Sequence, residues 1–146
     1  MGNIMFNQYK IQDETTLPVS LEKSKTLYFL QQGVYSNKEN MESNLSSFNY
    51  YIYNEKDNLY YAYVAITGDK DNLEKIEGYF KNLGYDLYVK EFTVENANFI
   101  EVLNQYEELL KQTNDEKTIV SICGQILSKY EELVLNAQNE GTTSKW

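Results

Sequence analysis

The sequence predicts an α+β fold in which a four-stranded antiparallel sheet, in βαββαβ order, is followed by a C-terminal helical hairpin. Three observations support this prediction. Between residues 26 and 94, four segments rich in aromatic and β-branched residues alternate with segments of helical periodicity. The two halves of this region have similar lengths, and each reads strand, helix, strand. Two longer apolar stripes at helical spacing then occupy residues 95–138.

The first half of this region contains a strand, a helix and a short strand. Thr26–Tyr35 is rich in aromatic residues and predicts a first strand that ends near Gly33. Ser36 with Glu39 three residues later has the spacing of a capping box, so we expect a helix over residues 37–48. A second strand over residues 50–53 and a turn over residues 54–58 follow.

The second half repeats this order. Residues 59–67 predict the third strand, and Gly68 with Asp69 opens the second helix. Gly84 stands where a left-handed residue ends helices, and residues 85–94 predict the fourth strand. The complete order is that of the split βαβ, or ferredoxin-like, arrangement, in which both helices lie on one face of the sheet and the other face stays open.

The remaining segments have a different character. Residues 1–25 are polar, contain the single proline and predict a mostly irregular linker. Helices over residues 97–112 and 115–138 predict an αα-hairpin, and residues 139–146 are expected to be disordered. Met1–Phe6 is a short apolar segment, which fits either the outer edge of an upstream membrane anchor or an ordinary frayed N-terminus.

Composition excludes several functional classes. The chain has 146 residues, 22 acidic and 13 basic residues, a formal charge of -9, one cysteine and no histidine, and every basic residue is Lys. Histidine-based triads and dyads are therefore impossible, and a disulfide within the chain or a paired-cysteine zinc site is impossible as well. A nucleic-acid partner is not expected, because phosphate recognition needs a basic face. We expect no metal and no cofactor.

No catalytic residues stand out either. Carboxylate pairs such as Glu107 with Glu108 lie on helices among other acids, and nothing marks them as the flanks of a cleft. Cys123 lies on an apolar helical stripe, which predicts a buried, unreactive thiol. No stretch of about 18 apolar residues is present, so the sequence predicts no membrane-spanning segment within the chain.

Two strand motifs resemble the SPOR (sporulation-related repeat) family. Tyr28–Ser36 is similar to the opening strand of that family, with Gln31, Gly33 and Tyr35 at its Gln, Gly and Phe positions. Tyr60–Ile66 is similar to the third-strand pattern Tyr-Arg-Val-x-Val-Gly-Pro, with Tyr61 in place of the Arg and Ala65 in place of the Gly. The resemblance covers residues 26–94, in the same order of elements.

The resemblance implies a non-catalytic module that binds peptidoglycan, with a preference for glycan strands stripped of their stem peptides. It also implies an extracytoplasmic location at the cell envelope, tethering by an upstream membrane helix, and a role in division or sporulation. Because Tyr61 replaces the family's Arg, one charged contact is expected to be absent.

Strand alternation independently predicts which side chains lie on the open face of the sheet. Side chains along a strand point alternately to opposite faces. Ala62, Val64 and Ile66 form the better surface for packing against helices. The open face is then predicted to carry seven candidate ligand-binding residues: Phe29, Gln31, Tyr35, Tyr61, Tyr63, Tyr88 and Lys90.

This set suits a glycan, since aromatic rings pack against sugar C–H groups, and an amide and an ammonium group can meet acetamido groups and lactyl carboxylates. Two alternatives remain open at this point. Tyrosine is also a common strand residue, and the C-terminal hairpin has apolar stripes that would cover the open face if it packed there. The second functional hypothesis is a protein-interaction or structural module that uses the sheet face or the hairpin, whose acidic surface is the candidate for a protein partner.

Overall fold

The computed structural model describes residues 24–136, and within this range the fold is the predicted α+β arrangement. The strands are β1 (Lys25–Tyr35), β2 (Ile52–Lys56), β3 (Leu59–Thr67) and β4 (Tyr88–Val94). The helices are α1 (Lys38–Asn44), α2 (Lys70–Asn82), α3 (Ala97–Gln112) and α4 (Glu116–Tyr130), and α4 continues into a π-helical segment, Glu131–Leu135. The antiparallel sheet has the order β2-β3-β1-β4, which is consistent with a split βαβ arrangement. Nearly all of the predicted linker (1–25) and the whole predicted tail (139–146) lie outside the described residues.

The two helices of the βαββαβ region begin at side-chain caps. The side-chain oxygen of Asn37 accepts a hydrogen bond from the Asn40 backbone N–H at 2.7 Å. The prediction of Ser36 as this cap is therefore wrong by one residue, and α1 also ends four residues before the predicted boundary. Asp69 caps α2 as predicted, since its carboxylate accepts from the Asn72 N–H at 2.9 Å.

The C-terminus of α2 and the β2–β3 hairpin both use left-handed backbone conformations. Gly84 has φ +91°, and the Tyr85 N–H donates to the Phe80 carbonyl at 3.0 Å, the bond that closes a Schellman motif. The β2–β3 turn has only two residues, Asp57 and Asn58, with φ +57° and +64°. Aspartate and asparagine tolerate this conformation, which matches the twist of paired strands. Because the turn is this short, β2 continues to Lys56 and covers Ile52–Lys56 instead of the predicted 50–53.

Irregular pairing between β1 and β3 decides which side chains share a face. Directly opposed residues of antiparallel strands point to the same side. Phe29 lies opposite Lys90 and Ile66, whereas Tyr35 lies opposite Tyr60. The pairing skips one residue of β3 between Leu30 and Gln31 and one residue of β1 between Gln31 and Gly33. After each skip, the side chains of the strand with the extra residue point to the opposite face from the one that strict alternation predicts. We call the side of the sheet that carries Phe29 and Lys90 the front face and the opposite side the back face.

The predicted faces are therefore wrong for two residues. Tyr35 lies on the back face with Tyr60, away from Phe29, and Ile66 lies on the front face rather than on the helix side. The physical reason is the extra residue at each bulge, which turns the following side chains to the other side. The ring of Tyr61 lies 5.2 Å from the ammonium group of Lys90, which places Tyr61 on the front face as expected.

Helices cover both faces of the sheet. On the back face, α1 contacts the central strands, and the Lys38 ammonium of α1 lies 5.2 Å from the ring of Tyr53; α2 contacts β3 and α3. Over the front face lies the α3–α4 hairpin: the Tyr130 ring contacts the rings of Phe29 and of Phe99 edge to face, each at a centroid distance of 5.2 Å. The hairpin thus covers one end of the face that was predicted to be open.

A buried carboxylate joins the hairpin to the corner between β3 and α2. Glu107 of α3 is only 5% exposed. One of its oxygens accepts from the Thr67 hydroxyl at 2.6 Å and from the Asn72 amide at 2.8 Å, and the other accepts from the Gly68 N–H at 2.5 Å. In addition, the Lys75 ammonium donates to the Leu110 carbonyl at 2.6 Å. The hairpin and the sheet therefore share one bonded, continuous core.

Candidate functional site

The part of the front face that the hairpin leaves uncovered carries a row of one cation and two tyrosines. The Lys90 ammonium lies 5.2 Å from the ring centroid of Tyr61 and 5.9 Å from that of Tyr88. Tyr88 is 64% exposed, and Tyr61 and Lys90 are half-buried. A cation held between two ring faces keeps a fixed position while its hydrogen-bond donors stay available. Three of the seven predicted residues are thus adjacent and accessible.

Gln31 lies beside this row, directly opposite Tyr63 on one side and Tyr88 on the other. The residue is 7% exposed, and its side-chain oxygen has no hydrogen-bond partner among residues 24–136. A buried acceptor without a partner is costly, by about 1–3 kcal/mol, so most such atoms in proteins are paired. The Gln31 oxygen is therefore a buried acceptor without a partner among the described residues, next to the row.

Phe29 and Tyr63 do not lie on an accessible surface. Both are buried, and Phe29 makes edge-to-face contacts with Tyr63 at 5.4 Å and with Phe92 at 5.0 Å. The prediction that their rings are exposed is wrong, because Tyr130 of the hairpin packs on Phe29. These two rings lie on the front face where Tyr130 of the hairpin packs against it.

A cleft of about 210 Å³ opens where the hairpin meets the front face. Its lining includes residues from every strand, among them Asn54 of β2, Tyr63 of β3, Phe29 of β1 and Phe92 of β4. Strand alternation could have found Phe92, since it shares a face with Lys90. The hairpin also contributes to the lining, and its position could not be read from strand patterns.

Two phenols of the cleft are partly desolvated. Burial raises the pKa of Tyr63, with a further contribution from the nearby Tyr130 phenol, and burial raises the pKa of Tyr130 as well. A tyrosine is already protonated at neutral pH, and burial makes ionisation less favourable still, so both hydroxyl groups keep a proton to donate. The cleft thus combines apolar ring surface with neutral hydroxyl groups, a mixture that suits an uncharged, hydroxyl-rich ligand.

The described residues contain no metal cluster, and their one cysteine is buried. No group of three or more Asp, Glu, Cys or His side chains between residues 24 and 136 is arranged to hold a metal ion. Cys123 is buried as predicted, and burial together with the charge of Glu107 raises the pKa of its thiol to about 12. Within the same range no helix is long and apolar enough to span a bilayer.

Comparison with known proteins gives one structural similarity. The chain resembles the solution structure of the peptidoglycan-binding domain of the Bacillus subtilis cell wall lytic enzyme CwlC, with 26% sequence identity. The alignment covers 54% of this chain and 99% of that domain, with a TM-score of 0.38. No protein-family model matches the chain, and no curated protein sequence matches it. The resemblance to the SPOR family therefore rests on the strand motifs in β1 and β3.

Proposed function

We propose that this chain is a non-catalytic module that binds the glycan strands of peptidoglycan through the uncovered part of its front face. The observation that carries the proposal is the partly exposed row of Tyr61, Lys90 and Tyr88, beside a Gln31 oxygen that has no partner within residues 24–136. Tyrosine rings offer apolar faces to sugar C–H groups. The Gln31 oxygen is buried, so it accepts from a sugar hydroxyl or an acetamido N–H only once its side chain turns toward the ligand. The Lys90 ammonium pairs with the lactyl carboxylate that a muramic residue exposes once its stem peptide is removed.

The finer parts of the proposal follow from the SPOR resemblance in β1 and β3. In this view the module acts outside the cytoplasm and places a membrane-tethered protein on the cell wall during division or sporulation. Phe29 and Tyr63 serve by supporting the binding surface, whereas Tyr35, on the back face, has no part in it.

Co-sedimentation with purified sacculi, before and after amidase treatment, tests the proposal. We expect binding to increase after amidase treatment, and Lys90→Ala to reduce it about tenfold, because a charge-assisted hydrogen bond contributes about 1.5–3 kcal/mol. Lys117→Ala, which removes an exposed lysine from the first turn of α4, is the matched control and should bind as the wild type does. Equal binding by the two variants, or no binding by the wild type, would refute the proposal.

A second candidate function, binding of a polypeptide partner, is favoured by a separate cleft between α2 and α4. This cleft measures about 280 Å³, has Cys123 and Phe80 in its lining, and bears the exposed side chains Leu83 and Tyr50 at its rim. Protease treatment of the sacculi separates the two candidates. Glycan binding survives removal of wall-attached protein, whereas binding to a polypeptide partner is lost.

A further inference from the structure

The cleft at the border of the front face is built jointly by the sheet and the hairpin. Its floor includes Phe29, Tyr63 and Phe92, and Tyr130 and Leu135 of the hairpin complete its lining on the other side. The floor residues come from neighbouring strands, so a ligand that contacts all of them crosses the strands. From β2 to β4 there are three inter-strand spacings, or about 14 Å in total.

The hairpin side of the cleft is held in a fixed position. Tyr130 contacts Phe29 and Phe99, each at a ring-centroid distance of 5.2 Å, with the rings nearly perpendicular. Such contacts restrain the ring on two sides, one from the sheet and one from α3. Tyr130 therefore does not depend on a ligand for its orientation.

Leu135 is placed by the π-helical segment that follows α4. There the Asn136 N–H donates to the Glu131 carbonyl, five residues earlier. A π-helical turn changes the direction in which the next side chains point, and such turns often occur at functional sites. The Asn96 amide donates to the Leu133 carbonyl at 2.9 Å and so ties this segment to the start of α3. The position of Leu135 in the cleft is thus fixed by hydrogen bonds outside the cleft.

We infer that the hairpin end is part of the binding site, with Tyr130 and Leu135 as the wall against which a linear glycan lies as it crosses the strands. This inference depends on the proposed glycan-binding function and extends the site beyond the Tyr61–Lys90–Tyr88 row. A ligand that spans about 14 Å of sheet needs more than two sugar rings in line. Longer oligosaccharides therefore bind more tightly until the cleft is full, and the side chain of Leu135 contributes only to those that reach it.

Titration with β-1,4-linked N-acetylglucosamine oligomers of two to six rings, followed by calorimetry, tests this inference. We expect the affinity of the wild type to rise from the dimer to the tetramer and then to level off. Leu135→Ala should weaken tetramer binding about fivefold, from the loss of apolar contact, and leave dimer binding nearly unchanged.

Leu109→Ala is the matched control, because Leu109 is an exposed leucine of the same hairpin, 49% accessible, and is not among the residues that line the cleft. If Leu135→Ala and Leu109→Ala bind every oligomer as the wild type does, the hairpin is not part of the site and the inference is refuted, while the proposed function stands. If no oligomer and no sacculus preparation binds the wild type, the proposed function itself fails. Circular dichroism of each variant verifies that it is folded.

Discussion

Replacement of Glu107 by glutamine measures how strongly the hairpin is attached to the sheet. The carboxylate accepts three hydrogen bonds, from the Thr67 hydroxyl, the Asn72 amide and the Gly68 N–H. A glutamine has one oxygen, so in either amide orientation its NH₂ group faces at least one buried donor. An unsatisfied buried donor costs about 1–3 kcal/mol, and the remaining bonds lose the assistance of the charge. We therefore expect Glu107→Gln to lower the free energy of unfolding by about 2–4 kcal/mol.

Thermal and urea unfolding, monitored by circular dichroism, give this difference directly. For a domain of this size the expected loss corresponds to about 8–15 °C in melting temperature. Glu108→Gln is the control on the same helix, because the Glu108 side chain is 68% exposed and its Lys111 partner is 3.8 Å away. Exposed pairs of this kind contribute less than about 1 kcal/mol. Equal stability of the two variants would show that the buried carboxylate does not hold the hairpin in place.

Two further predictions concern helix glycines and the buried thiol. A Cβ atom at Gly124 would lie 2.5 Å from the ring of Tyr50, whereas a Cβ at Gly78 would meet nothing within 4 Å. Gly78→Ala should therefore raise the free energy of unfolding by about 0.5–1 kcal/mol, and Gly124→Ala should lower it; a gain in both would contradict the close contact. For Cys123, burial raises the thiol pKa to about 12, so between about pH 9 and pH 12 the unfolded chain loses this proton and the folded chain keeps it. The stability of the wild type relative to Cys123→Ala should fall with rising pH in that window, and a pH-independent difference in urea titrations would refute the assignment.

Local sequence signals were sufficient for the order of elements and for several boundaries. Strand β3 and helix α3 have the bounds that were predicted, and Asp69 and Gly84 begin and end α2 as expected. These boundaries depend on interactions within a few residues, such as the bond from the Asn72 N–H to Asp69. The cap of α1 was misplaced because Ser36 and Asn37 are both good caps, and only the backbone conformation selects between them.

The candidate site was harder to predict, since it depends on how strands pair with each other and where the hairpin packs. Alternation correctly grouped Tyr61, Tyr88 and Lys90, but it fails beyond a bulge, which is why Tyr35 was placed on the wrong face. A bulge is a property of a strand pair and leaves no clear signal in one strand. The burial of Phe29 depends on Tyr130, about 100 positions later in the chain, and helical periodicity does not tell where an apolar stripe packs.

The cover that the hairpin provides has a consequence for use of the βαββαβ region on its own. A chain cut after Val94 would leave Leu27, Phe29 and Ile66, now buried, on a bare sheet face next to β4, an edge strand among the described strands. Apolar faces beside unpaired strand edges promote self-association. The hairpin therefore shields an apolar face of the sheet from solvent, and grafting of the module onto another protein requires the chain through Leu135.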